Sequence, residues 1–202
     1  MPPQTPPVQT TPLPPTPRLE TDRLVLRPLA EPDVPAIQRL FPQWAVVRHL
    51  HAGVPWPYPD DGAAANMRET LAERARGERF FWAITLKGHD ELVGRIDLWP
   101  FNGVRRDMRG FWLAPEHQGR GLMTEAAEAV TGYAFEVLAW PFLYLTNAEA
   151  NRASHRVKEK QGAELIDREP AAFVEGPGLR EVWLLRREDW LRRRPSHSRR
   201  SF

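Results

Sequence analysis

The chain has 202 residues, 42% of them hydrophobic and 27% charged, which suffices for one well-packed domain with tails and is short for two. Its 28 Lys and Arg nearly balance 26 Asp and Glu, for a formal charge of +2, so no surface is set aside for nucleic acid and a general polyanion binder is disfavoured. The absence of cysteine removes disulfides, thiolate metal sites and any cysteine-bound intermediate.

Residues 1–17 hold eight prolines and little that packs, which predicts an extended, mobile segment, with a polyproline ligand as the functional alternative. The domain is expected over residues 18–189. Leu24 and Leu26, interleaved with Arg23, Val25 and Arg27, make a first strand, and Glu31, Pro32 and Asp33 open a short helix through Ile37, Leu40 and Phe41. Residues 44–61 are too irregular for a long element and too aromatic for a solvent loop. They either wall a pocket, with Trp44, His51, Trp56 and Tyr58 as candidate acceptor contacts, or simply cover the core.

A helix is expected over 61–76, with Met67 and Leu71 inward and Gly77 as its stop. The β-rich runs 80–86 and 91–99 form a hairpin across the turn 87–90, and a further strand over 108–114 ends at Pro115. The following helix starts near Gly121 and places Leu122, Ala126, Val130, Tyr133 and Val137 on one face, with Glu125, Glu128 and Glu136 opposite. A strand follows over 142–146. Asn151 then caps a helix that ends before Gly162, with Ala153 and Val157 inward and Arg152, Arg156 and Lys160 outward. Strands over 164–168 and 179–186 complete a mixed α/β pattern, and the arginine-rich residues 190–202 read as a solvated tail.

No two histidines share a helical metal-binding spacing, and His49 and His51 face one way only on a strand, so no metal is expected. No run reaches the roughly 20 apolar residues of a membrane span. Residues 1–17 also lack the basic and apolar regions of an export signal, so a cytoplasmic protein is expected.

The stretch 107–137 carries the strongest chemical signal. A strand, a glycine-bearing turn and a helix leave backbone N–H groups without intrahelical partners, where they can meet an anion. Gly119 and Gly121 let the backbone approach such a group closely, and Arg120 adds positive charge. The spacing is neither a P-loop nor a dinucleotide fingerprint.

The run from Trp112 to Ala126, with Gln118, Gly119, Arg120, Gly121, Leu122, Met123 and Thr124 at its centre, resembles the Q/R-x-x-G-x-G/A motif of the GNAT N-acetyltransferase superfamily. Asn151 and Ser154, ahead of Glu159, Lys160 and Gly162, resemble its second signature. The likeness spans residues 24–186 and is closest to the branch of ribosomal-protein N-terminal acetyltransferases. It implies a GNAT fold, a central mixed and mostly antiparallel sheet with helices on both faces, and acetyl-coenzyme A as the acyl donor. It further implies that the amides of 118–124 hold the pyrophosphate, that Phe111, Trp112 and Leu113 pair with the pantetheine arm, and that Asn151 binds that arm or the acetyl end. Ser154 would protonate the departing thiolate, since a hydroxyl both donates and accepts, and an amide near Leu113 would stabilise the oxyanion.

The chain departs from the family at three places. Met123 stands where the motif ends in a small residue, Lys158 where many members carry a tyrosine acid, and Met108 where relatives often carry a glutamate. Asp97 is the candidate base, with pairing to Arg95 as its structural alternative. An α-amine of pKa about 7.7–8.0 is roughly a tenth neutral at pH 7, whereas a lysine near 10.4 is neutral in about one molecule in two thousand. With no strong base, a peptide or protein N-terminus is the easier acceptor. The alternatives are a small-molecule amine such as a polyamine or antibiotic, a non-catalytic acyl-coenzyme A-binding module, and a protein that works through its tails. A monomer or a homodimer is compatible with the sequence.

Overall fold

The computed structural model describes residues 12–193. Five strands, β1 (Leu19–Glu20), β2 (Leu24–Pro28), β3 (Phe80–Leu86), β4 (Leu92–Leu98) and β5 (Arg109–Leu113), form an antiparallel sheet in that spatial order. Strand β3 reads Phe-Phe-Trp-Ala-Ile-Thr-Leu without polar alternation because both of its faces are covered. Phe80, Trp82 and Ile84 pack with Leu122, Ala126 and Val130, while Phe81 and Ala83 pack with Ile37, Leu40 and Met67. Helices α1 (Val34–Leu40) and α3 (Gly62–Ala75) therefore cover one face and α4 (Leu122–Gly132) the other, with the four-residue α2 (Trp44–Val47) between the first two in sequence.

A second antiparallel sheet of three strands has the order β6-β8-β7, with β6 (Phe142–Ala148), β7 (Glu164–Phe173) and β8 (Gly176–Arg186). Helix α5 (Arg152–Gln161) lies between β6 and β7 in sequence, and α6 (Arg187–Arg193) follows β8. The sheets meet at Met108, whose N–H donates to the Tyr144 carbonyl at 2.9 Å and whose sulfur accepts from the Tyr144 N–H at 3.3 Å. Met108 is thus a buried seam between the sheets. No helix among the described residues is long and apolar enough to cross a membrane.

Several expectations are corrected. Residues 12–17 are not a free strap: Leu13 and Thr16 are buried, the Leu13 N–H donates to Gly77 O at 2.8 Å, and the Trp82 indole donates to Pro17 O at 2.6 Å. Residues 1–11 lie outside the described part of the chain. At the other end Trp190 is 1% exposed and stacks edge-on with Phe135, so the domain continues through α6, and only 194–202 of the expected tail fall outside the described residues. Val137 is 49% exposed because the helix widens into a π-helical turn over Tyr133–Val137, and the larger number of residues per turn shifts it off the apolar face.

Strands β7 and β8 run well past the expected 164–168 and 179–186. Pro170 is accommodated within β7 because that strand is the sheet edge, where a missing N–H leaves no ladder bond unmade.

Candidate active site

Beyond Met108 no ladder joins β5 to β6, and a cleft of roughly 450 Å³ lies between β5, the start of α4 and the start of α5. Gly119 and Gly121 adopt φ of 72° and 77°, a left-handed conformation that L side chains rarely hold. A Cβ at Gly119 would meet nothing within 4 Å, so the glycine serves backbone shape and open space and not tight packing. Helix α4 begins directly at Gly121 without a side-chain cap, which leaves first-turn N–H groups for an anion. The loop is held from below. Gln118 Nε2 donates to Leu113 O at 2.8 Å, and Arg23 Nη1 donates to Arg120 O at 3.0 Å.

Glu125, expected on the solvent face, is the clamp of this arrangement. Its carboxylate accepts from the Arg23 N–H at 2.9 Å, from Arg23 Nε at 2.7 Å and from the Thr21 hydroxyl, tying the first turn of α4 to the turn between β1 and β2. Arg23 and Thr21 hold the carboxyl below its ordinary value against the opposing effect of burial. Met123 turns into the core beside the cleft, which is how a long side chain is accommodated there.

Along the other wall, Asn151 Oδ1 accepts from the Ser154 N–H at 3.0 Å and caps α5. Phe111, Trp112, Leu113, Gln118, Gly119, Gly121, Leu122, Met123, Thr124, Asn151 and Ser154 all line the cleft, so the structure brings together nearly the whole set expected from sequence. Arg120 lies beside it, within 3.5 Å of His117. Ala153, expected inward, faces the opening instead, and Arg152, Arg156 and Lys160 line the cleft as one basic row at i, i+4, i+8.

The acceptor-side expectations fare differently. Ala45, Val46 and Leu50 reach the cleft, whereas Trp44, His51, Trp56 and Tyr58 are not among its lining residues. Trp44 and Trp56 pack on each other at the surface with ring centroids 5.5 Å apart, and Tyr58 packs edge-on against Phe41, which in turn packs on Trp112. The segment does wall the pocket, but through its small and aliphatic residues. It is fastened to the tip of the β7–β8 hairpin by Ala52 N–H to Ala172 O, Val174 N–H to Leu50 O and a His49–Glu175 contact of 2.7 Å.

Asp97 sits on β4 beside Arg95, whose Nε contacts its two oxygens at 2.8 and 3.0 Å. Burial pushes its carboxyl upward while Arg95 opposes this. It does not line the cleft. Asp107, pushed upward by burial, accepts from the Thr146 hydroxyl at 3.1 Å.

Sequence reasoning missed the role of Lys158. Its Nζ is buried and donates to Ser154 Oγ at 2.7 Å and to Ser154 O at 3.3 Å. Arg109, equally buried, donates to Thr131 Oγ1 and Gln161 Oε1 at 2.8 Å each. The available signal was the i, i+4 spacing of Ser154 and Lys158, which puts both on one helix face.

A family model described as an acetyltransferase (GNAT) domain matches residues 23–164. The chain belongs to the GNAT acetyltransferase family. It is 31% identical over 151 residues to the uncharacterized N-acetyltransferase YoaA of Bacillus subtilis, covering 71% of this chain and 81% of that one. The structure superposes on RimJ of Mycobacterium smegmatis in complex with a coenzyme A disulfide, with a TM-score of 0.71, 19% identity and coverage of 82% and 83%. It also superposes on RimL, a ribosomal L7/L12 α-N-protein acetyltransferase in complex with coenzyme A, with a TM-score of 0.70, 18% identity and coverage of 84% and 98%. The GNAT acetyltransferases use acetyl-coenzyme A, and the open glycine loop, the uncapped start of α4 and the basic row on α5 fit its phosphate groups.

Proposed function

We propose that this GNAT acetyltransferase moves an acetyl group directly from acetyl-coenzyme A to the α-amine at a peptide or protein N-terminus. The observation that carries this reading is the character of the cleft: no Asp or Glu is among the described residues that line it. Asp97 is engaged by Arg95 and Asp107 by Thr146, and His117 is the one titratable base among the described residues of the lining, so a cleft without a carboxylate favours an acceptor amine of low pKa that arrives neutral. The absence of cysteine supports attack on the thioester in one ternary complex.

In this reading the amides of 118–124 hold the pyrophosphate, with Arg152, Arg156 and Lys160 as cationic partners of the phosphates. Phe111, Trp112 and Leu113 align the pantetheine arm, Asn151 fixes the end of α5 and borders the acetyl end, and Ser154 gives its Oγ proton to the departing sulfur. Ala45, Val46 and Leu50 face the acceptor, while Trp44, His51, Trp56 and Tyr58 support that wall from outside the cleft.

Calorimetric titration with acetyl-coenzyme A, followed by thiol-release assays on an amine panel, tests the proposal. The expected result is saturable binding, turnover with peptides bearing a free N-terminus, and a rate that rises with pH through about 7.7–8.0 as the α-amine loses its proton. Binding without turnover on any amine points to an acyl-coenzyme A-binding module. Turnover confined to polyamines or aminoglycosides overturns the α-amine assignment.

A further inference from the structure

We propose that Lys158 keeps Ser154 supplied with the proton that Ser154 gives to the coenzyme A sulfur, acting through the serine hydroxyl and not on the substrate. The inference rests on the reading above, in which Ser154 is the proton donor. Ser154 lines the cleft, and Lys158 lies one helical turn behind it, 1% exposed, with Nζ 2.7 Å from Ser154 Oγ. A buried ammonium is rarely retained without a carboxylate partner. Here Nζ donates to the hydroxyl and the carbonyl of one serine and lies over the face of Phe111, whose centroid is 5.2 Å away.

The charge on Lys158 decides what Ser154 can do. An ammonium has donors only, so Ser154 Oγ must accept from it, which leaves the serine O–H to donate into the cleft. A neutral amine has a lone pair and can take that O–H for itself, which removes the donor from the sulfur. Proton delivery therefore needs Lys158 charged at the moment the carbon–sulfur bond breaks.

The surroundings make that charge adjustable. From β5, Arg109 opposes it, and the Arg109 guanidinium also approaches Phe111, at 5.9 Å from the ring centroid. Asp107, just before β5, and Glu181 on β8 favour it. Burial and Arg109 prevail, and Lys158 is held well below the ordinary lysine value. Arg109, pulled down to about 10 by burial, keeps its proton at neutral pH, so of these two buried cations Lys158 is the one that yields.

The transfer balances as follows. The amine lone pair bonds to the acetyl carbon, the carbon–sulfur bond breaks with its electron pair on sulfur, and the nitrogen releases one proton to solvent. Ser154 gives its hydroxyl proton to sulfur while Lys158 gives one to Ser154 Oγ. Lys158 recovers a proton from solvent through Ser154 once the cleft has emptied.

Only three lysines occur in the chain, Lys87, Lys158 and Lys160, so the full-length protein labelled with 13C-lysine gives a readable titration, with Lys158 assigned as the signal missing in K158M. Lys158 is expected to titrate below the ordinary lysine value. With the best peptide acceptor and saturating acetyl-coenzyme A, S154A should lower kcat about 100-fold and K158M about 10-fold to 100-fold, with little change in KM for acetyl-coenzyme A. The double variant should be no slower than S154A, because Lys158 acts only through the serine. Wild-type kcat should fall at high pH as Lys158 loses its proton, and K158M should lack that limb. A Lys158 that titrates at the ordinary lysine value, additive losses in the double variant, or an unchanged pH limb in K158M overturns the relay. Failure of wild-type protein to bind acetyl-coenzyme A or to release thiol from any amine would instead sink the transferase reading, while the lysine titration stays interpretable.

Discussion

Lys158 shows how one buried side chain links stability to chemistry. Its folded value lies below the unfolded one, so between that value and about 10.4 the unfolded chain binds more protons and stability rises with pH. Below the folded value the full penalty of a buried ammonium applies. Lys158→Met, of similar length and without charge, should raise the melting temperature at pH 7 by on the order of 3–6 °C while slowing turnover. Thermal scans across pH should show the gain shrinking as pH climbs from the folded value of Lys158 toward about 10.4 and levelling off above it, and a Met variant less stable than wild type at neutral pH would contradict this account. Such an exchange of stability for activity is expected where a site holds an uncompensated group. The spacing placed Lys158 and Ser154 on one helix face, but the sequence could not show that Lys158 is buried there beside Phe111 and Arg109 of β5.

At the level of elements, α4 joins the cofactor loop to the core, and both its ends deviate from a regular helix. Its start is set by Gly121 and clamped by Glu125 to a turn about a hundred residues earlier in the chain. Its far end passes through the π turn to Ala139, a non-glycine residue with φ of 55°. A Cβ in that conformation costs about 1–2 kcal/mol, partly offset by the greater unfolded-state freedom of glycine. Ala139→Gly should therefore stabilise the protein by about 0.5–1 kcal/mol, or roughly 1–4 °C in melting temperature, with kinetic constants unchanged. A fall in melting temperature would show that this strain is not released. Helix α4 was legible from its apolar spacing, but the π turn was not: a one-residue widening leaves no mark in a pattern read at 3.6 residues per turn.

For the whole molecule, the ends of the described chain belong to the domain. Leu13 fills a core position and Trp82 donates its indole N–H to Pro17 O, while Trp190 closes the opposite side against Phe135. Removal of residues 1–11 supplies the reference. Removing residues 1–17 should cost about 1.5–3 kcal/mol from Leu13 alone, with a further loss from the unsatisfied Trp82 indole. Denaturant melts of the two truncations decide the matter, and equal midpoints would mean that the strap contributes nothing. Proline content signalled an extended path here, and extension was read as mobility. The backbone can be extended and still packed when one leucine finds a hole in the core.

Local sequence alone determined the glycine turn, the Asn151 cap and most of the helices and strands, though not β1, α2 or α6, while the pairing of the two cofactor signatures came from the family resemblance. The local features follow from backbone conformation and apolar period, which act within a few residues. Tertiary structure decided which groups share the cleft. It separated Trp44, His51, Trp56 and Tyr58 from the lining, bound Asp97 to Arg95, drew Glu125 inward and set Lys158 behind Ser154. The lining and the burial of Glu125 and Lys158 depend on the surfaces that distant strands and helices present, whereas the Asp97–Arg95 and Ser154–Lys158 contacts are local pairs that the fold turns toward or away from the cleft.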